Sequence, residues 1–231
     1  MTINAALIFA AGFGTRMGAL TKDTPKPLVQ VAGRPLIDYA YDLVTDLETV
    51  VVNLHYFSSQ LETHLAAHNN VKTLRETPDI LETGGGLKNA LPLLGNDPVV
   101  TLNSDAIWTG TNPVTALRET WDPAKMDALL TLIPIQNAQE HRGSGDFNLC
   151  TTGQISRRGA AINASYVYGG AQIIKTDLLA KITGKSFSLN LLWDQMLAKN
   201  RAYGIVHNGG WVDVGRPQGI DVAAAELARH V

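Results

Sequence analysis

The sequence predicts an α/β fold: a doubly wound, mostly parallel open sheet covered by helices, with a small mixed β lobe. Two features carry that prediction. Across the first 135 residues, short all-apolar runs alternate with amphipathic stretches of helical period, the pattern of strands buried on both faces of a parallel sheet. Beyond Pro134 the texture changes, and 136–164 is polar and glycine-containing with only short strand candidates.

Ala5–Phe9 reads as the first strand. Pro35 is placed at the favoured first position of a helix whose apolar face is Leu36, Ile37, Tyr39, Ala40 and Leu43. Thr49–Val52 reads as a second buried strand, with Ser58 or Ser59 capping a helix through His68. Val71–Leu74 is a third strand candidate, Gly86–Leu94 a short helix behind a triple glycine, and Pro98–Leu102 a further strand. Residues 111–121 contain another helix, and Ala128–Ile133 another strand. In the second half, Phe147–Cys150 and Gln154–Ser156 are short strand candidates. Tyr166–Ile174 is a longer strand in which Gly169-Gly170 suggests a bulge. Helices are expected at Thr176–Ile182 and Asn190–Asn200, the latter with Leu189, Leu192, Trp193 and Met196 spaced as a core stripe. A strand at Ala202–Val206, the run Trp211–Gly215 and a helix from Pro217 to about Arg229 complete the pattern, read as one domain over 1–231.

Composition narrows the class. The formal net charge is −2 and no block of like charge exists, which argues against nucleic acid as the main partner. Any phosphate site must then be a local concentration of cations. The one cysteine, Cys150, allows no internal disulfide and no cysteine metal cage; it reads as a small buried residue rather than a nucleophile. A reducing, cytoplasmic setting is expected. The apolar run at 5–11 lacks a basic flank and is too short for a secretory leader, and no run approaches the ~20 residues of a membrane span, so no membrane partner is expected.

Ligands of open α/β sheets sit at the carboxyl ends of the strands, and three unusual segments are predicted on that rim: 10–17, 82–86 and 103–105. Gly12-Phe13-Gly14-Thr15-Arg16 follows the first strand directly. Small residues allow close backbone approach, successive N–H groups can face anionic oxygens, and Arg16 adds a permanent forked cation. Lys26 stands between Pro25 and Pro27, which stiffen its segment. A nucleotide or other polyphosphate is the implied ligand, against the plainer reading of a glycine turn. The turn is not a dinucleotide fingerprint, because Met17 replaces the third glycine and Asp38 falls in a predicted helix; no G-x-x-x-x-G-K-[ST] loop exists either.

Leu7–Met17, Thr24-Pro25-Lys26-Pro27-Leu28, Gly33-Arg34-Pro35-Leu36, Asn103-Ser104-Asp105 and Trp211-Val212-Asp213-Val214-Gly215 together resemble the sugar-phosphate nucleotidyltransferases. Leu81–Gly86, Ala90–Gly95 and Arg142–Phe147 further resemble the N-acetylmuramate-1-phosphate uridylyltransferases of bacterial cell-wall recycling. The resemblance implies a Rossmann-like, GT-A-like fold, with 1–135 as the nucleotide-binding half and 136–231 as a sugar-binding lobe that returns to the sheet. It implies Mg²⁺-dependent attack of a sugar 1-phosphate on the α-phosphorus of UTP, with pyrophosphate leaving. Arg16, Lys26 and Asp105 become the catalytic candidates. Ala10, Ala11, Gly12, Gly14, Thr15 and Arg16 are implied nucleotide contacts, with Arg16 and the backbone N–H groups of Gly12 to Arg16 holding the departing phosphates and Lys26 bridging the α-phosphate and the incoming phosphate. Glu82, Thr83, Gly85 and Gly86 are expected under the base and ribose, with Asn103 on the same rim. Asp105 and Asp213 are the implied magnesium ligands, although taken alone Asp213 reads as a solvated turn carboxylate. Asp146, Asn163 and Gly170 are candidates for the sugar. A monomer or weak homodimer is expected.

Other residues carry plainer readings. His55 reads as a loop histidine with an ordinary hydrogen bond, though it could touch substrate, and Arg157-Arg158 as a solvated turn that could serve a sugar acid. His64 and His68 are one helical turn apart without a metal set. Ser104 stands where many family members have glycine or alanine, and the Glu-Lys-Pro segment of thymidylyl- and glucose-specific relatives is absent. Cytidylyl, guanylyl or thymidylyl transfer to another phosphorylated sugar or to phosphocholine, and a non-catalytic nucleotide-sugar sensor, stay open as alternatives.

Overall fold

The computed structural model describes residues 3–95 and 98–230. β1 (Ala5–Phe9) has no polar side chain because both its faces are covered; Ala6, Leu7 and Ile8 are fully buried. The chain then passes Gly14 (φ 65°) into an irregular 3-10 segment, Thr15–Thr21, and a second 3-10 turn, Lys26–Leu28. A two-residue ribbon, β2 (Gln30–Val31) with β3 (Arg34–Pro35), reverses through Ala32 and Gly33, both at positive φ. The ribbon is too short for a periodic signal. It also takes Pro35, which lies just before α1 (Leu36–Asp42) rather than inside its first turn.

β4 (Thr49–Leu54) leads to α2 (Ser58–Leu65), where neither serine caps the helix; Phe57, in the left-handed region at φ 49°, holds the cap position. β5 (Val71–Arg75) precedes α3 (Glu82–Leu94), which starts four residues earlier than expected and contains the triple glycine. Glycine inside a helix costs about 1 kcal/mol relative to alanine, and here close packing requires it. A Cβ on Gly84 would lie 2.5 Å from the Phe187 ring, and one on Gly85 2.1 Å from the Lys185 carbonyl oxygen. The N–H groups of Gly84 and Gly85 both donate to Phe187 O, at 2.8 and 3.0 Å.

β6 (Val99–Asn103) and β7 (Ala106–Trp108) follow, then α4 (Pro113–Thr120), capped by the Asn112 side chain, which accepts from Val114 N–H at 2.8 Å. β8 (Ala128–Pro134), β9 (Phe147–Leu149), β10 (Ile155–Arg157) and β11 (Tyr166–Ile174) come next. The helix expected at 176–182 is only a 3-10 turn, Asp177–Lys181. α5 (Asn190–Ala198), β12 (Ala202–Val206), β13 (Trp211–Asp213) and α6 (Gln218–Ala228) end the described chain.

The strands form a nine-stranded mixed sheet. β5, β4, β1 and β6 lie side by side in parallel, β11 runs antiparallel between β6 and β8, and β12 adds in parallel to β8. The register of β11 on β8 shifts between Tyr168 and Gln172, where Gly170 has φ 94°, so the Gly169-Gly170 bulge is present. The bulge lets the second half of β11 pair with β6 while Tyr166 pairs with Phe147 of β9, joining the β9–β10 hairpin to the sheet. Cys150 sits in the turn of that hairpin and is exposed, not buried; its thiol is within 2.8 Å of the Thr152 hydroxyl. The two-residue pitch of strands splits the core: Ile8, Val50 and Val52 face α1, α2 and α4, while Leu7 and Val51 face α3 and α5. Leu189, Leu192, Trp193 and Met196 lie in the second cluster as the stripe predicts. A third cluster, with Met17, Leu36, Ile107, Val212 and Ala223, packs α6 onto the β7–β13 ladder. Among the described residues no helix is long and apolar enough to cross a membrane.

Candidate active site

The register of the parallel strands builds the floor of the site. Phe9 pairs with Asn53 on one side and Asn103 on the other, so three strand ends stand in one row at the carboxyl edge. Polar side chains tie the row together. Asn53 Oδ1 accepts the Ala10 N–H at 2.9 Å, and Ser104 Oγ donates to Phe9 O at 2.7 Å. Asn53 Nδ2 donates to Glu76 Oε1 at 2.8 Å, while Glu76 Oε2 accepts the Leu81 N–H at 2.7 Å. The buried Glu76 carboxylate therefore couples the floor to the entry of α3.

Above this floor opens a cleft of about 340 Å³. Ala10, Ala11, Gly12, Gly14, Thr15 and Arg16 line one wall. Ile80, Glu82 and Thr83 from the entry of α3 line it as well, as do Asn103 and Asp105. Lys26 reaches in from its proline-flanked turn, and its ammonium lies 2.6 Å from Asp105 Oδ2 with both side chains largely shielded. Gly14 makes this approach geometrically feasible, because a Cβ there would lie 2.8 Å from Lys26 Cβ.

Asp213 joins Asp105 through the β7–β13 ladder. Ala106 pairs with Asp213, and Val214 N–H donates to Asp105 O at 2.9 Å, so the ladder places the two carboxylate-bearing residues next to each other. Burial, reinforced by the negative charge of Asp105, pushes the Asp213 carboxyl above the usual carboxylate range, against the pull of Lys26, Arg16 and His141. Asp213 is thus no solvated turn carboxylate. A Cβ on Gly215 would lie 2.8 Å from Asp213 Oδ1 and 3.2 Å from both terminal nitrogens of Arg16, so Gly215 leaves room for the guanidinium and the carboxylate to approach the same point. Two neighbouring carboxylate-bearing residues form an oxygen donor set of the kind magnesium uses with water and substrate phosphate. Among the described residues no group of three or more His, Cys, Asp and Glu forms a fuller metal cage.

Not every expected residue reaches the cleft. Gly85 lines a separate cavity of about 550 Å³, and Gly86 packs against Asn53 and Glu76, so the triple glycine serves close packing. Asp146 does not line the cleft; its carboxylate accepts the Tyr168 N–H at 2.8 Å and its own N–H donates to Tyr166 O, which fixes the loop to β11. Asn163 is exposed on its loop, outside the cleft lining. Gly170 stands behind Asn103, whose amide nitrogen would be 2.9 Å from its Cβ. Asn53 and Glu76 are site residues that the motifs do not mark. Asn53 has a usable signal, an amide near the carboxyl end of an apolar strand as at Asn103; the buried Glu76 has none. His55 makes an ordinary bond between Nδ1 and Glu76 O, at 2.8 Å. His64 pairs with Asp38 at 2.5 Å, while His68 stacks near Tyr41, so the two share no ligand role. Arg157 is held by Asp194 and Asn190 beside Phe147.

The model of the MobA-like NTP transferase domain matches residues 6–141. N-acetylmuramate alpha-1-phosphate uridylyltransferase of Caulobacter vibrioides is 40% identical over 96% of this chain and 96% of its own length. The chain belongs to the sugar-phosphate nucleotidyltransferases. The N-acetylmuramate alpha-1-phosphate uridylyltransferase of Neisseria meningitidis serogroup B is 31% identical to this nucleotidyltransferase, over 91% of the chain and 92% of the relative. The nucleotidyltransferase fold is shared with HddC from Yersinia pseudotuberculosis, solved with GMP-PN, at TM-score 0.76 and 19% identity over 97% of this chain and all of that one. The α/β architecture expected from the sequence is the one these enzymes have.

Proposed function

We propose that this nucleotidyltransferase moves the uridylyl group of UTP onto N-acetylmuramate 1-phosphate, with Mg²⁺, in cytoplasmic recycling of cell-wall sugar. The observation that carries the reading is a cleft lined by Arg16, Lys26 and Asp105 together with the start of α3, with Asp213 placed beside Asp105 by the β7–β13 ladder. A uridylyl group and N-acetylmuramate 1-phosphate are named by the two relatives at 40% and 31% identity, and UTP is the corresponding donor.

In this reading the base and ribose lie toward Ile80, Glu82 and Thr83, and the triphosphate runs along the 10–16 turn. An oxygen of the sugar phosphate attacks the α-phosphorus, the bond from that phosphorus to the β-phosphate oxygen breaks, and its electron pair leaves on pyrophosphate. The nucleophile is already anionic, so no protein base is required. The protein's work is to hold two anions together and offset their repulsion. Lys26 is well made for this, since its ammonium is shielded, its backbone is stiffened by prolines and Asp105 aims it. Arg16 holds the departing end through its fork of donors. Asp105 and Asp213 would hold the magnesium ion, which supplies charge neutralisation and alignment of the phosphates. The second half of the chain, from 136, then receives the sugar.

The test is pyrophosphate release with UTP, CTP, GTP and dTTP against N-acetylmuramate, N-acetylglucosamine, glucose and mannose 1-phosphates. Fastest release with UTP and N-acetylmuramate 1-phosphate is expected. Preferred turnover with another triphosphate or another sugar would reassign the substrates, and no release from any pair would favour a sensor.

A further inference from the structure

Each arginine outside one small region is occupied. Arg34, Arg75, Arg118, Arg157, Arg158, Arg201 and Arg229 all donate side-chain hydrogen bonds to carboxylates, carbonyls or hydroxyls of the fold. Among the described residues the remaining three, Arg16, Arg142 and Arg216, make no side-chain hydrogen bond or ion pair, although Arg16 acts on Asp213 through its charge, and all three line a single cavity of about 240 Å³. That cavity shares Arg16 and Gly215 with the main cleft and has Asp213 in its wall. It therefore adjoins the cleft at Arg16 and Gly215, and Ile80, Glu82 and Thr83 have no part in its wall.

The cavity is held in shape by its own loops. Glu140 adopts φ 60°, and a Cβ on Gly143 would lie 2.3 Å from His141 Nε2, so residues 140–143 form a tight turn that carries Arg142. Arg216 is half-buried directly after Gly215. Three unpaired guanidiniums on one small space offer more donors than a single carboxylate can use, and their forks match phosphate oxygens. The other acidic wall residues, Glu140 and Asp213, oppose any anion. A singly charged group gains little from that balance, whereas a polyanion gains several times more.

We infer that this arginine-lined cavity receives the pyrophosphate released by the transfer, and that Arg142 and Arg216 are binding residues for it. The inference rests on the proposed nucleotidyl transfer and adds a destination for its leaving group: as the bond from the α-phosphorus breaks, the new pyrophosphate carries away the electron pair and passes from Arg16 to Arg142 and Arg216. The same cavity would admit pyrophosphate for the reverse reaction.

Arg142→Ala, Arg216→Ala and Arg216→Lys, made in the full chain, test it. Calorimetric titration with magnesium pyrophosphate should show each alanine variant binding roughly tenfold more weakly, the loss of about one charge-assisted hydrogen bond. In steady-state kinetics the KM for pyrophosphate in the reverse direction and its inhibition constant in the forward direction should rise by a similar factor. The KM for the sugar 1-phosphate should stay within twofold, and Arg216→Lys should recover part of the loss. A rise in the sugar-phosphate KM with unchanged pyrophosphate constants would overturn the inference and give the cavity to the acceptor. Unchanged values for both would overturn it as well. If the parent enzyme turned over no substrate pair, the transfer reading would fail, yet the calorimetric titration would still decide whether the cavity takes pyrophosphate.

Discussion

Gly14→Ala tests how the glycine turn supports Lys26. Gly14 has φ 65° and ψ 23°, where an L-residue with a Cβ pays about 1–2 kcal/mol. The added Cβ would lie 2.8 Å from Lys26 Cβ and 3.1 Å from Thr21 Cγ2, and the former atom belongs to the rigid base of its side chain. Overpacking of this kind adds about 1–3 kcal/mol. The combined cost is about 2–5 kcal/mol, or a fall in Tm of roughly 4–20 °C for a chain of this size. Gly33→Ala supplies the comparison, because Gly33 has φ 80° with nothing within 4 Å of its Cβ position. It should lose only the conformational part, about 1–2 kcal/mol. Thermal unfolding and initial rates of pyrophosphate release should be measured on both. Gly14→Ala should unfold at the lower temperature and also turn over more slowly, since the clash displaces the ammonium that meets Asp105. If Gly14→Ala is no less stable than Gly33→Ala and retains parental turnover, the contact between the turn and Lys26 has been misjudged.

Two further outcomes are expected. Asp105→Asn should lower kcat by roughly a hundredfold to a thousandfold in magnesium while the circular dichroism spectrum stays native; near-parental turnover would remove Asp105 from the chemistry. Asp127 bridges Lys175 at 2.9 Å and Arg201 at 2.8 Å. Its burial raises the pKa, but hydrogen bonds from Arg201 and Lys175 outweigh that and hold the carboxyl below its ordinary value. The stability it contributes is thus present above the ordinary carboxylate range and lost as pH falls through the folded-state value. Asp127→Asn should cost about 1–3 kcal/mol at pH 7, and in urea titrations at several pH values the difference should shrink toward acid; a pH-independent gap would count against the linkage.

The strands were legible because their burial on two faces demands unbroken apolar runs, and Ala5–Phe9, Ala202–Val206 and Tyr166–Ile174 fall where the runs do. Helix starts were less legible. α3 begins at Glu82 because the fit of Phe187 and Lys185 against Gly84 and Gly85 overrides glycine's aversion to helices, and that neighbour is a hundred residues away in sequence. Cys150 was misjudged for a related reason: a residue at the tip of a two-strand hairpin has no layer above it, whatever its hydrophobicity. In the site, the 10–16 turn, Lys26 and Asp105 announce themselves by local chemistry. The approach of Asp213 to Asp105, the bracing of the floor by Glu76 and the gathering of Arg142 and Arg216 depend on long-range pairing, which a linear pattern does not encode.

The β7–β13 ladder separates completion of the sheet from completion of the site. All nine strands of the large sheet have been synthesised once Val206 is in place, yet Asp213 lies beyond it in a two-stranded ladder of its own. A chain cut after Val206 would retain every strand of the large sheet and lack one of the two carboxylates. During synthesis the chain would therefore have the segments for its sheet first, and under the proposed function the docking of β13 and α6 would be the step that arms it.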